Sequence, residues 1–354
     1  MKISIGTKIK EGPWGGGNLF AKNLISHLES NNHTVVNSLE DDDIDLILIT
    51  EPRKTSESSA FTHVEVSKYV QAVKNDCLVV HRINECDERK NTNFVNQYLI
   101  EANQIADYTV FVSKWLKNLF ISQGMKDKNK LVILSGANNE IFKVENHIRW
   151  DGKTTLKIVT HHWGAHWNKG FETYKALDKL LGEDKYKNKL EFTYIGNLPK
   201  KFKFQNSKVV KPLSGHALAD ELKKNHVYLT GSVNEPSGNH HIEGAQCGLP
   251  LLFLDSGGTT EYSQDYGVKF NEFSFESAVD YILKNYEEYK LKIQDYPFDA
   301  KKMSFEYEKL FLEMLSSKED ILFERSKTKN IGFFDLYIYK LSRKLNNFSF
   351  SFKN

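Results

Sequence analysis

Two patterns of apolar residues alternate along the chain. Short unbroken runs such as LILI at 46–49 and LLFL at 251–254 suit strands buried on both faces, as in a parallel sheet. Between them, apolar residues recur at helical spacing, as in Leu19, Phe20, Leu24, Ile25 and Leu28. In the amino-terminal half the runs predict strands over 2–7, 34–36, 46–49, 77–80, 108–112 and 131–134. Helices are predicted over 19–28, 61–73 and 96–106, and one capped by Ser113 runs through Phe120. Residues 139–153 are polar and aperiodic and read as a connection. The alternation then restarts. Strands are predicted over 156–160, 192–195 and 227–230, with helices over 174–181, 212–223 and 275–289 and a terminal helix over 303–315. Two successive β/α alternations predict an α/β protein of two doubly wound Rossmann-like domains.

Composition narrows the partners. The 354 residues suffice for two domains, and 40% of them are hydrophobic. The formal net charge of +2 gives no global signal for nucleic acid. The cysteines Cys77, Cys86 and Cys247 have neither metal-type nor CxxC spacing and read as buried thiols in a reducing compartment. No signal-peptide pattern opens the sequence, and no apolar run reaches the roughly 18 residues of a membrane span. The expected location is cytoplasmic.

The most informative stretch is EPSGNHHIEGAQCGLPLLFLDSGGTTE at 235–261. Seven residues separate Glu235 from Glu243. Pro236, Ser237 and Gly238 form a turn, and a helix starting at 237–239 runs to Gln246, stopped by Gly248 and Pro250. Such a helix start directs free N–H groups and a partial positive charge outward, which suits phosphate. A carboxylate on either side of that point accepts hydrogen bonds from hydroxyls. Phosphate flanked by hydroxyl acceptors describes a sugar nucleotide.

This stretch resembles the E-x7-E element of retaining GT-B glycosyltransferases of the group 1 (GT4-like) type. Pro-x-Gly after the first Glu, Gly-Leu-Pro after the helix and Gly-Gly-x-x-Glu after the strand strengthen the likeness. The resemblance implies the GT-B fold, with two Rossmann-like domains facing a cleft. It implies that Glu235 addresses the transferred sugar and Glu243 the nucleotide ribose. Ser237, Gly238, Asn239 and His240 would then face the donor. Lys169, in a Lys-Gly pair before a helix, resembles the family's phosphate lysine. The family usually has an Arg six positions earlier, where this chain has Trp163; His161, His162, Arg82 or the helix dipole are the candidates to compensate.

The glycine loop after the first strand, GPWGGGN at 12–18, is a second ligand-approach unit. Its contiguous Gly15, Gly16 and Gly17, with Phe20 where a third spaced glycine would stand, do not fit the dinucleotide fingerprint G-x-G-x-x-G. The resemblance puts residues 15–18 at the cleft, Gly16 and Gly17 toward the donor and Asn18 toward the acceptor. Trp14 reads either as an acceptor platform or as a packed tryptophan. Arg82, Asn84 and Asp87, just past a predicted strand end, are acceptor-side candidates or else loop and salt-bridge structure.

Two metal readings are weaker than their alternatives. The acids at 40–45 could bridge a diphosphate through a divalent ion, but they fit a solvated turn better. His161, His162 and His166 lack the i, i+4 helical spacing and an adjoining Cys or carboxylate. No metal and no cofactor are expected, only a nucleotide-diphosphate sugar as donor substrate.

The expected organisation is an acceptor-side domain over 1–145, a nucleotide-sugar domain over 146–300, a helix over 301–315 returning to the first domain, and a basic extension over 316–354. Phe334, Ile338, Leu341 and Leu345 share one helical face in that extension. Residues 331–346 therefore suit either peripheral contact with an anionic membrane or a brace on the protein's own core. The expected function is metal-independent retaining transfer of a sugar from a nucleotide-diphosphate sugar to a glycan, lipid-linked or other hydroxyl acceptor. Alternatives are a non-catalytic sugar-nucleotide or glycan binder and a sugar-nucleotide epimerase of the same fold.

Overall fold

The computed structural model describes residues 1–12, 15–126 and 128–327. Trp14 and the amphipathic pattern at 331–346 lie outside the described residues.

The first sheet has the order β2-β1-β3-β4-β5-β6, with every pairing parallel. Its strands are β1 (Lys2–Ile5), β2 (Thr34–Val36), β3 (Leu46–Ile49), β4 (Leu78–Ile83), β5 (Tyr108–Phe111) and β6 (Lys130–Val132). Its helices are α1 (Gly16–Ser30), α2 (His63–Ala72), α3 (Asp87–Lys90), α4 (Val95–Ala102) and α5 (Lys114–Ser122). The second sheet has the order β12-β11-β10-β7-β8-β9, again all parallel. It contains β7 (Leu156–His162), β8 (Leu190–Gly196), β9 (Lys208–Val210), β10 (Val227–Thr230), β11 (Leu251–Leu254) and β12 (Gly267–Phe270). Its helices are α6 (Phe171–Leu180), α7 (Gly215–Leu222), α8 (Asn239–Gln246), α9 (Thr259–Ser263) and α10 (Phe275–Lys292). Two further helices, α11 (Ala300–Ser316) and α12 (Lys318–Ser326), follow.

The apolar runs are buried as their pattern demands. In β3 and β4, Leu46, Leu48, Leu78 and Val80 pack in one core, and Ile47, Ile49 and Val79, with Cys77 just before β4, in another on the opposite face. The second sheet does the same, with Val227, Leu229 and Leu252 on one side and Tyr228, Leu251 and Phe253 on the other. Period-2 geometry sends alternate side chains to opposite faces, so both faces must be apolar. Helix α11 returns to the first sheet. Its Met303, Tyr307, Leu310, Phe311 and Met314 join Ile3, Phe20 and Leu24 in one core. Helix α12 extends that contact: Ile321 joins the same core, and Arg325 binds Asp107 and the carbonyl of Cys77.

Two strands run further than their sequence pattern indicates. β4 continues through His81, Arg82 and Ile83, and β7 through His161 and His162. All five side chains are buried, which lets polar residues sit in a sheet that the apolar run alone would have ended. Three acids of the turn at 40–45 pair with lysine: Asp41 and Asp43 with Lys2, and Asp45 with Lys74.

Each sheet reverses its direction of growth at one place, between β1 and β3 in the first and between β7 and β10 in the second. Loops leaving neighbouring strands diverge there and open a crevice at the carboxyl ends. The glycine loop follows β1, and the Glu235 segment follows β10, so both ligand-approach loops flank such points.

Candidate active site

The two crevices face each other and form one cleft of about 870 Å³. Gly16, Gly17, Asn18, Arg82 and Asn84 line it from the first domain; Lys169, Glu235, Ser237, Gly238, Asn239, His240 and Glu243 line it from the second. Residues far apart in the sequence are thus brought together. Gly16 and Asn239 oppose each other closely: a Cβ at Gly16 would lie 3.2 Å from the Asn239 amide.

Glu235 is the centre of charge in the cleft. It is only 5% exposed. Lys169 Nζ donates to its Oε2 at 2.7 Å, and Arg89 Nε lies 2.9 Å from its Oε1. Burial would raise this carboxyl, but Arg89 and Lys169 overcome burial and hold it at about 2. Lys169 is lowered by burial, with Glu235 opposing the shift. Arg89 is raised above its ordinary value by Glu235 and then by Glu85. Its Nη1 donates to both Glu85 oxygens at 3.2 Å, and Lys90 Nζ pairs with Glu85 Oε2 at 2.5 Å.

Backbone geometry holds these groups in place. Lys169 sits in a single 3₁₀ turn ended by Gly170, whose φ is +104° and whose added Cβ would meet Gly231 at 2.7 Å. Only glycine fits both demands. The Val233 N–H donates to the Asn168 carbonyl at 2.9 Å, tying the Glu235 loop to the Lys169 turn. Gly238 has φ +77° and precedes α8 without a side-chain cap. By contrast, α2 carries a complete Thr62–Glu65 capping box.

Glu243, on the buried face of α8, places Oε2 2.8 Å from His161 Nε2. The other nitrogen of His161 lies 3.0 Å from the Tyr228 hydroxyl. His240 binds Thr230 Oγ1 at 2.8 Å, and its ring centroid is 4.5 Å from that of His162. Burial pushes His162 and His240 well below the ordinary imidazole range, and His241 down to about 3. These three rings are therefore neutral near pH 7. Among the described residues, no group of three or more His, Cys, Asp and Glu side chains is arranged to hold a metal ion.

Several candidates take other positions than expected. Asp87 does not line the cleft. Its oxygens accept from Thr92 Oγ1 and from the N–H groups of Phe94, Val95 and Asn96, so it organises the start of α4. Asn18 lines the cleft, but its amide is closed on the Lys10 backbone, at 2.9 Å in each direction. Arg82 is a strand residue rather than a loop residue; its guanidinium lies 3.8 Å over the Phe20 ring. The cation beside Lys169 is neither Arg82 nor His162 but Arg89, which sequence reasoning missed. The one local signal was its i, i+4 pairing with Glu85. Trp163 stays 53% exposed at the cleft edge.

No family model matches the chain, and no curated protein matches its sequence. Solved structures match its fold. HepE of Anabaena, in complex with UDP-glucose, is 14% identical with a TM-score of 0.65, over 90% of this chain and 100% of that one. Sucrose-phosphate synthase of Thermosynechococcus elongatus is 12% identical with a TM-score of 0.63, over 89% and 99%. WaaG, a glycosyltransferase involved in lipopolysaccharide biosynthesis, is 11% identical with a TM-score of 0.61, over 88% and 99%. The likeness is one of fold: this chain has the two-domain GT-B architecture of these structures.

Proposed function

We propose that the protein is a retaining, metal-independent glycosyltransferase using a nucleotide-diphosphate sugar. The observation that carries this reading is the convergence of Lys169, Glu235 and the uncapped start of α8 in one cleft, with Glu243 farther along the same helix. The nucleotide would lie against the second domain, with the ribose hydroxyls on Glu243 and the diphosphate at Lys169 and Gly238. Glu235 would orient the sugar hydroxyls. An acceptor, either a glycan, a lipid-linked sugar or another hydroxyl compound, would enter from the wall carrying Asn84.

Departure of the nucleoside diphosphate places negative charge on oxygen. Preorganised cations and N–H groups aimed at that oxygen stabilise the transition state by a few kcal/mol. The departing phosphate can accept the acceptor's proton, so no separate base is needed. The nucleotide complexes of similarly folded proteins support this reading. HepE is solved with UDP-glucose, and the catalytic domain of starch synthase IV from Arabidopsis thaliana with ADP and acarbose.

The first experiment is a thermal-shift screen with UDP-, GDP-, ADP- and CMP-sugars, since a ligand of the native state raises Tm. The hit is then incubated with acceptors and EDTA, and hydrolysis or transfer is measured. Stabilisation by at least one donor, with turnover in EDTA, is expected. A protein stabilised by none of them would sink the reading. Binding without hydrolysis or transfer would leave a sugar-nucleotide binder.

A further inference from the structure

We propose that Arg89, a residue of the first domain, is the second cation of the diphosphate site, and that a bound diphosphate takes over Lys169 and Arg89 from the Glu235 carboxylate. The inference rests on the glycosyl-transfer reading above and names a cation contributed across the cleft.

Lys169 of the second domain donates to one oxygen of Glu235, and Arg89 of the first lies 2.9 Å from the other without hydrogen-bond geometry, so the buried Arg89 Nε–H has no hydrogen-bond partner. A buried N–H without an acceptor is costly, and a diphosphate oxygen at this point would satisfy it. Around this point stand three cations, Lys169, Arg89 and Lys90, and two carboxylates, Glu235 and Glu85. The group therefore carries a net charge of +1, and the neutral His162 and His240 do not add to it. A diphosphate offers more charge than one carboxylate, and its paired oxygens match the guanidinium fork.

Helix α3 keeps Arg89 at that point. The Arg89 carbonyl accepts from Asn168 Nδ2 at 3.2 Å, and the Glu88 carbonyl accepts from Asn234 Nδ2 at 3.3 Å. Asn168 precedes Lys169, and Asn234 precedes Glu235. The loops that carry the second domain's cation and carboxylate are thus stitched to the helix that carries the first domain's cation. The complete anion site exists only while the domains are apposed. Donor binding exchanges carboxylate for diphosphate at both cations and releases Glu235 toward the sugar.

The test uses inorganic pyrophosphate, which is independent of the nucleotide base, titrated by calorimetry into the full chain. Arg89→Met should weaken pyrophosphate binding by roughly tenfold or more, the scale of a charge-assisted hydrogen bond. Arg89→Lys should recover part of that loss. Glu235→Gln keeps the shape of the side chain and removes its charge. It should tighten pyrophosphate binding by roughly three- to tenfold or more, because one like charge a few ångströms away, worth about fivefold even when screened as in water, no longer competes. A purely structural salt bridge predicts no gain for Glu235→Gln. Unchanged or weaker binding by that variant overturns the inference, as does parental binding by Arg89→Met or absence of binding by both parent and Glu235→Gln. If the parent is still stabilised by a sugar nucleotide in those cases, only this inference fails. If no sugar nucleotide binds the parent, the functional reading fails with it.

Discussion

The Glu261 carboxylate caps a helix of the opposite domain, accepting the Trp115 N–H at 2.7 Å through Oε1 and the Lys114 N–H at 2.8 Å through Oε2. The neighbouring Tyr262 hydroxyl donates to the Val112 carbonyl and accepts the Ser135 N–H at 2.9 Å. The Gly-Gly-x-x-Glu segment, which strengthens the family likeness in the sequence, therefore joins the two domains. It sets their separation through unpaired helix N–H groups that need a partner.

Glu261→Ala removes a charged cap and should cost about 1–2 kcal/mol. Urea unfolding gives the midpoint. An unchanged midpoint would show that the carboxylate contributes nothing to the domain contact.

Glu243→Ala should weaken the binding of the donor found by screening by about 1.5–3 kcal/mol, the scale of a hydrogen bond to a charged group. Calorimetry measures it. His161 loses its 2.8 Å partner in the same variant, so Glu243→Gln, which can still accept a hydrogen bond, should lose less. Parental affinity in Glu243→Ala would remove the ribose role.

Lys169→Ala should lower kcat by roughly 10²–10³, with a smaller change in donor affinity, because its charge is needed most as the diphosphate departs. A normal kcat would take Lys169 out of the leaving-group site.

The depressed pKa of Glu235 makes stability pH-dependent. Its carboxyl is held at about 2 against an ordinary 4.5. A folded-state pKa below the unfolded one stabilises the protein above pH 4.5, and that stability is lost as pH falls toward 2. Glu85 is also lowered, with Arg89 and Lys90 overcoming burial, and acts in the same direction. Unfolding free energies measured from pH 6 downward should fall more steeply for the parent than for Glu235→Gln. Parallel curves would show that the ion pair adds no stability.

Arg325→Ala should cost about 3 kcal/mol or more, since it strands a buried carboxylate. Asp107 is 4% exposed at its side chain and holds both Arg325 and the Val79 N–H. Thermal unfolding of the full chain checks this. An unaltered Tm would mean that α12 is not fastened to the first domain by this pair.

The β/α alternation was legible because parallel strands covered on both faces must be apolar throughout, as in 46–49 and 251–254. The Glu235 segment was legible because turn residues, helix breakers and spaced acids occur together within one short stretch. Strand ends were less so. His81, Arg82, His161 and His162 are polar residues inside strands, and nothing local distinguishes them from loop residues.

Local order in the chain already implied two wound domains, a helix start able to face an anion, and a carboxylate on each side of it. Those follow from periodicity and turn chemistry, which act over a few residues. That Arg89 would meet Glu235 and that Glu261 would close a helix in the other domain came only with folding. Such pairings are governed by how two sheets stand against each other, and no spacing along one segment encodes them.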